Sequence, residues 1–150
     1  MQAVATAGAG FLLAVLWFDL MYDVQVAPHP RGELPEAVVG SIAGYYRRVT
    51  TDARPMNRLV VLAMAATLSA IVAQIVRSDG APVARWLSLL LASGPIGLAA
   101  ARTVPSAVRL GTRRDPIDLQ SSLARTIYRQ HLFCVCSIGV LLVVQLAWMR

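Results

Sequence analysis

The sequence predicts an all-α integral membrane protein whose four transmembrane helices form an up-down bundle, and three observations lead to this fold class. Only 15% of the 150 residues are charged and 57% are hydrophobic, whereas ordinary soluble domains carry about 25% charged residues. The mean hydropathy is +0.59. The apolar residues are gathered in four long blocks, and no block alternates with the period of two that is typical of membrane strands. The length suits one integral membrane domain over residues 1–150.

Each apolar block approaches the roughly 20 residues that an α-helix needs to cross a bilayer. The first block lacks a basic leading segment and a favourable cleavage site, so we expect a retained span rather than a signal peptide. The predicted spans cover about residues 3–22, 59–76, 83–101 and 132–149, which leaves long loops at 23–58 and 102–131.

The basic residues predict the orientation of the chain. All 14 are arginines, so the sequence excludes Schiff-base chemistry and a lysine nucleophile. Eleven of them lie in the two long loops and three lie elsewhere, which predicts cytoplasmic loops and both termini outside. Because these arginines lie between apolar blocks, we expect anionic lipid headgroups, and no nucleic acid, as their partners. The Ala/Arg/Val-rich composition is typical of a GC-rich bacterial genome, and we expect the inner (plasma) membrane as the location.

Both long loops contain predicted helices. In the first loop, Leu34-Pro35-Glu36 is typical of a helix start with proline at the first helical position. The apolar residues that follow recur at helical spacing: Val38, Val39, Ile42, Tyr45, Tyr46 and Val49. This amphipathic helix either lies among the lipid headgroups or docks on the protein's own bundle. In the second loop, Asp115-Pro116 predicts the start of a helix that continues to Met149 and protrudes about four turns into the cytoplasm.

Ionisable residues in or near the spans are candidates for function, because charges are costly in hydrocarbon. Asp19 lies about one turn inside the cytoplasmic end of the first span, and Asp23 shares its helix face. In an up-down bundle the polar residues at this end would meet as one cluster. The predicted cluster comprises Asp19, Asp23, Asn57, Arg58, Arg102, Tyr128, Arg129 and His131. The main polar residues of the opposite half are Gln74 and Gln145.

The burial of Asp19 must be offset, and the expected offset is an ion pair with Arg58, Arg102 or Arg129. Such a pair would serve the architecture alone. The alternative is a proton-transfer or ligand-binding role for Asp19, and the sequence leaves both open.

The sequence predicts no metal site and no cofactor. His131 and Cys134 share a helix face, but no second histidine lies within the spans. Cys134 and Cys136 point about 200° apart on a helix, which disfavours a paired-thiol mechanism. Gly94-Pro95-Ile96-Gly97 in the third span predicts a kink that serves close helix packing or, alternatively, forms a substrate cavity.

Two short segments resemble a known family. Thr103-Val104-Pro105-Ser106 follows the third span, and Tyr128-Arg129-Gln130-His131 opens the fourth. With the order of the spans, these segments resemble the small four-helix anthrone-oxygenase-like integral membrane family, which has a Val-Pro element and an Asn…Arg element at these places. Here the Asn is absent and Arg129 precedes His131. The segment from Phe18 to Gln25 also resembles a recurring segment of uncharacterised bacterial membrane proteins.

Three functions are compatible with this sequence. The absence of a complete catalytic constellation favours a non-enzymatic scaffold, accessory subunit or small oligomer with a membrane protein partner. The second is a membrane enzyme for a lipophilic substrate, with Asp19 as base, Arg102 or Arg129 at a developing oxyanion and His131 as acid; the resemblance adds slight support to it. The third is a proton- or ion-coupled carrier that uses Asp19.

Overall fold

The computed structural model describes residues 1–147, together with all their side chains except those of Arg54 and Met56. Within that range every regular element is helical and no strand occurs, which confirms the all-α prediction. The elements are α1 (Gln2–Asp23), a 3₁₀ turn (Val24–Val26), α2 (Glu36–Arg47), a π-helical turn (Arg48–Asp52), α3 (Arg54–Val76), α4 (Pro82–Leu98), a second π-helical turn (Ala99–Thr103), α5 (Val104–Gly111) and α6 (Ile117–Ala147). The predicted end of the fourth span, at residues 148–149, lies outside the described residues.

Four helical stretches in the described chain are long and apolar enough to cross a membrane, as predicted. They are Gln2–Val26, Asn57–Val76, Pro82–Gly111 and Ile117–Ala147. The third continues well beyond the predicted end at residue 101, so most of the predicted loop 102–131 is helical. The cause is local: a π-helical turn directly before α5 accommodates the missing N–H of Pro105, and Ala107 and Leu110 give the segment a buried face.

The four long helices pack around a core of small and branched residues. Its buried members are Ala5, Ala9, Leu12, Ala70, Ile71, Ala92, Ile138 and Leu141. Alanine and glycine allow close approach of helices, as in other membrane bundles. At Gly8, for example, an added Cβ would collide with the hydroxyl of Thr67 on α3.

A second core lies beyond one end of these helices. This core is formed by α2, α5 and residues 117–130 of α6, and we call these three elements together the cap. The buried residues of this core are Val26, Leu34, Val39, Ile42, Ala43, Tyr46, Ala107, Leu110, Ala124 and Ile127. The apolar face of α2 is therefore covered by the protein's own helices. Of the two alternatives for this amphipathic helix, the structure has the docked one.

Polar contacts hold the cap together. Arg109 forms two hydrogen bonds of 2.8 Å with Asp115, which lower the pKa of that carboxyl. Arg125 donates to the carbonyl oxygens of His29, at 3.0 and 3.1 Å, and of Gly32, at 2.6 Å. These contacts fasten the segment between α1 and α2 to α6. Part of the arginine content of the loops thus stabilises the cap itself.

A network of amide hydrogen bonds lies at the end of the long helices that is opposite to the cap. Gln74 and Gln145 are fully buried and bond to each other through their amides, at 2.9 Å for Gln74 Nε2 to Gln145 Oε1. Gln145 Nε2 also donates to Ser88 Oγ at 3.0 Å, and Gln2 Nε2 donates to the carbonyl of Gln145 at 2.8 Å. One residue from each long helix therefore meets at this end, in a network without an ionisable side chain.

Candidate functional site

Five polar side chains meet where the core of the long helices borders the cap. They are Asp19 and Asp23 of α1, Tyr45 and Tyr46 of α2, and His131 of α6, and we call them the Asp–Tyr–His cluster. The i, i+4 spacing places both carboxylates on one face of α1. The adjacent tyrosines, at the end of α2, reach one carboxylate each, and His131 lies between the two.

Asp23 is the most enclosed member of the cluster. Its exposed fraction is 0%. Its Oδ1 accepts a hydrogen bond of 2.6 Å from the Tyr46 hydroxyl, and its Oδ2 lies 2.6 Å from Nδ1 of His131. Both carboxylate oxygens are thus engaged by the protein, as a buried acid requires.

Asp19 is less enclosed than Asp23, and it lines a cavity. Its Oδ1 accepts a hydrogen bond of 2.7 Å from the hydroxyl of Tyr45. Its Oδ2 lies 3.8 Å from Nε2 of His131, which is beyond a hydrogen bond. The two ring nitrogens of His131 therefore face two different carboxylates, Asp23 at close contact and Asp19 at a distance.

The tyrosines are kept in their neutral form. Burial, together with the charge of Asp19, raises the pKa of Tyr45, whose ring also stacks on that of Tyr22 with centroids 4.1 Å apart. Burial, together with the charge of Asp23, raises the pKa of Tyr46. Both hydroxyls consequently act as hydrogen-bond donors to the carboxylates.

A cavity of about 120 Å³ adjoins this cluster, and all four long helices contribute to its wall. That volume corresponds to roughly four water molecules of about 30 Å³ each. Asp19 and His131 lie in the wall, and most other lining residues are apolar: Leu12, Val15, Leu16, Val60, Met64, Pro95, Ile96, Ala99, Val104 and Ile138, with Thr103 and Cys134. A larger depression along α3 is lined by residues of that one helix and does not enclose a site.

The π-helical turn Ala99–Thr103 forms part of this wall. Such turns are rare and often lie at functional sites. Pro105 has no N–H to donate to the carbonyl four residues earlier, which favours an irregular turn at this place. The hydroxyl of Thr103 donates to Oε1 of Gln130 at 2.8 Å and ties the turn to α6 next to His131.

The structure brings together three of the eight predicted cluster residues, Asp19, Asp23 and His131. The other five lie elsewhere. Asn57 is exposed and donates to the carbonyl of Thr50 at 3.0 Å, Tyr128 packs against the core of the cap, and Arg58, Arg102 and Arg129 are exposed.

The predicted ion pair between Asp19 and an arginine is wrong. Among the side chains that the structure describes, Asp19 approaches no arginine closely enough for a salt bridge. The hydroxyl of Tyr45 and the ring of His131 take that place. These partners avoid the cost of desolvating a second permanently charged group.

The segment Gly94-Pro95-Ile96-Gly97 of α4 and the two cysteines of α6 were further candidates in the sequence. Pro95 lines the cavity, whereas an added Cβ at Gly94 or Gly97 would meet open space. Pro95 thus borders the cavity, and the two glycines make no close helix contact in the described part of the chain. Cys134 is buried in the cavity wall and Cys136 is exposed, and both are free thiols. The described residues contain no group of three or more His, Cys, Asp or Glu that would hold a metal ion.

The functional candidates that the sequence analysis missed are Tyr45 and Tyr46. At the level of the sequence, both tyrosines belong to the apolar face of the predicted amphipathic helix. Two adjacent tyrosines opposite two acids one helical turn apart were the available signal, but their pairing depends on how α2 docks, which the sequence left open.

Comparison of the chain with protein-family models, with curated proteins and with solved structures gives no match. The resemblance to the anthrone-oxygenase-like family therefore depends on its two short segments and the order of the spans.

Proposed function

We propose that this protein is an integral membrane enzyme that transfers protons on a lipophilic molecule, with His131 as the residue that removes and returns the proton and Asp19 as its electrostatic partner. The observation that carries the proposal is the order Asp23–His131–Asp19 at the wall of a largely apolar cavity. A histidine with one ring nitrogen held by a buried carboxylate and the other facing a cavity is a common arrangement of a general base.

The cavity supports a particular class of substrate. Its apolar wall suits a hydrocarbon body, and its ionisable groups lie together at the end next to the cap. About 120 Å³ accommodates the reactive end of a membrane-soluble molecule better than the whole of one. The substrate class is a lipophilic carbon acid, such as a molecule with a C–H bond next to a carbonyl or an enol.

The proposed reaction is an isomerisation that needs no co-reactant. Nε2 of His131 takes a proton from a C–H group of the substrate, and the electron pair of that bond moves to the substrate oxygen. The carboxylate of Asp19, whose Oδ2 lies 3.8 Å from Nε2, stabilises the positive charge that His131 then carries. The protonated Nε2 then returns the proton to another carbon of the same molecule. The roles thus differ from the sequence-based hypothesis, in which Asp19 was the base.

Two features favour an enzyme over the alternative functions. A carrier needs a polar route to both ends of the membrane, but packed apolar residues such as Ala9 and Ile71 lie between the cluster and the amide network around Gln145 at the opposite end. A purely architectural acid in a scaffold would be paired in a closed cluster. Asp19 instead lines a cavity.

The same proposal includes an orientation. The cap lies on the cytoplasmic side of a bacterial inner membrane, both termini lie outside, and α6 protrudes into the cytoplasm in an up-down bundle. The support is the positive-inside rule, since the exposed arginines of the cap side outnumber those of the other side. Among the described side chains, they are Arg31, Arg47, Arg48, Arg58, Arg102, Arg109, Arg114 and Arg129, against Arg77. Anionic lipid headgroups are the partners of this exposed set.

Deuterium exchange tests the proposed activity without knowledge of the substrate. The protein is reconstituted in lipid nanodiscs, incubated in D₂O with a lipophilic extract of the membranes it comes from, and the extract is analysed by mass spectrometry. We expect time-dependent incorporation of deuterium at carbon in at least one component. A positioned general base contributes about 10²–10⁴-fold, so the rate should fall by that factor in His131→Gln.

The matched control is His29→Gln, because His29 is the only other histidine and lies in the loop between α1 and α2. This variant should exchange like the wild type. Equal exchange with wild type and His131→Gln for every component would contradict the proposed activity.

A further inference from the structure

The contact between Asp23 and His131 constrains where the protons lie. Oδ2 of Asp23 and Nδ1 of His131 are 2.6 Å apart, and both are nearly or fully buried. Two lone pairs at that distance would repel each other, so one proton lies between the two atoms. It belongs either to Nδ1, with Asp23 as a carboxylate, or to Asp23, with Nδ1 as acceptor.

Tyr46 distinguishes the two arrangements. Its hydroxyl lies 2.6 Å from Oδ1 of Asp23 and 3.3 Å from Nδ1 of His131, so its shorter contact is with the carboxyl group. A hydrogen bond donated to a carboxylate is stronger than one donated to a neutral acid. Tyr46 therefore favours the ionised form of Asp23, which leaves the shared proton on Nδ1.

The second ring nitrogen of His131, Nε2, has a different environment from Nδ1. In the described chain, Nε2 of His131 has no partner within hydrogen-bond distance, and Asp19 Oδ2 lies 3.8 Å from it. A neutral ring with its proton on Nδ1 has its lone pair on Nε2. That lone pair points away from Asp23, toward the Asp19 side, where the cavity lies.

We infer that Asp23 and Tyr46 are positioning residues that hold His131 as the Nδ1–H tautomer and thereby present the Nε2 lone pair to the cavity. The inference deepens the proposed function, since it assigns the residues that make His131 a base. It also connects the cap to the site, because Tyr46 belongs to α2 and approaches Asp23 only when α2 is docked on the long helices. Docking of the cap and the state of His131 are thus coupled.

Nitrogen-15 NMR of histidine measures the tautomer directly and independently of any activity. The His29→Gln background leaves His131 as the one labelled histidine, and the protein is measured in lipid nanodiscs at neutral pH. We expect the spectrum of a neutral ring protonated at Nδ1 and unprotonated at Nε2. A neutral ring protonated at Nε2, or a ring protonated at both nitrogens, would overturn the inference.

Conservative variants then assign the cause. Asp23→Asn can turn its amide N–H toward Nδ1, so we expect the proton to move to Nε2 in that variant. Tyr46→Phe removes only a hydroxyl, and we expect a mixture of both tautomers. Tyr128→Phe, in the core of the cap, is the matched control and should retain the wild-type spectrum. Unchanged tautomers in both Asp23→Asn and Tyr46→Phe would also overturn the inference; a variant that fails to fold leaves the wild-type spectrum as the deciding measurement.

The two proposals fail separately. If His131 is protonated at Nδ1 but no deuterium is exchanged, the positioning role of Asp23 and Tyr46 stands and the proposed enzymatic activity is contradicted. Exchange that depends on His131 but persists at the wild-type rate in Asp23→Asn would retain the enzyme and contradict the positioning role. If both hold, Asp23→Asn should lower the exchange rate on the order of 10²–10⁴-fold.

Discussion

The two adjacent tyrosines of α2 make the contact between the cap and the long helices sensitive to alkaline pH. Burial and the charges of Asp19 and Asp23 raise the pKa of Tyr45 and of Tyr46. An unfolded tyrosine has a pKa of about 10. Because the folded protein holds these protons more tightly, the stabilisation is complete below pH 10 and decreases as the pH rises above it.

We therefore predict that the cap loosens above about pH 10 while the long helices remain in the bilayer. Hydrogen exchange of the α2 amides in nanodiscs, measured between neutral and alkaline pH, tests this. The double variant Tyr45→Phe/Tyr46→Phe is the control, since it cannot ionise there and should lose most of the dependence. An identical alkaline transition in that variant would assign the effect to other groups.

At the same scale, the sequence identified the acids and the histidine but not what surrounds them. Asp19, Asp23 and His131 are recognisable because ionisable residues in apolar helices are costly wherever they point. The partners of these residues cannot be recognised in the same way, since an arginine and a tyrosine hydroxyl can both donate hydrogen bonds to a carboxylate. The choice between Arg102 and Tyr45 depends on the docking of a separate helix, and local spacing does not determine that docking.

Among the elements, the contact between α2 and α5 depends on one glycine. A Cβ at Gly111 would lie 2.9 Å from the backbone nitrogen and 3.1 Å from Cα of Arg47, the residue after Tyr46. Backbone cannot yield as a flexible side chain does, so we predict that Gly111→Ala destabilises the cap by about 1–3 kcal/mol. Faster hydrogen exchange throughout α2 is the expected signature.

Gly44→Ala is the matched control, because it lies on α2 and its added Cβ meets nothing within 4 Å. Alanine is favoured over glycine in a helix by about 1 kcal/mol, so this variant should be as stable as the wild type or more so. Equal protection of α2 in the two variants would contradict the close approach of α2 and α5.

The sequence predicted the existence of the helices better than their grouping. The hydropathy blocks indicate four long helices, and proline with a recurrent apolar face indicates α2. The sequence does not predict the continuation of the third helix to Gly111, because Arg102 and Pro105 are typical of the end of a span. A π-helical turn accommodates both without interrupting the helix, and its geometry has no reliable sequence signal.

For the molecule as a whole, the two cores explain why a short chain has room for a site. Neither the core of the long helices nor that of the cap contains the Asp–Tyr–His cluster entirely: Tyr46 belongs to the cap core, whereas the cavity belongs to the long helices. A border between two packed units is a common place for a ligand pocket. It also allows motion of the cap to change the site without unfolding the bundle.

The proposed orientation of the whole molecule leads to a direct prediction. In a background with Cys134→Ala and Cys136→Ala, single cysteines are placed at two exposed positions outside the long helices, Ala81→Cys between α3 and α4 and Thr112→Cys between α5 and α6. With arginines concentrated on the cap side, a membrane-impermeant maleimide should label Ala81→Cys on intact cells. It should label Thr112→Cys only after the membrane is permeabilised. The reverse pattern would place the cap outside the cell, and labelling of both positions on intact cells would contradict an arrangement in which the third long helix crosses the membrane between them.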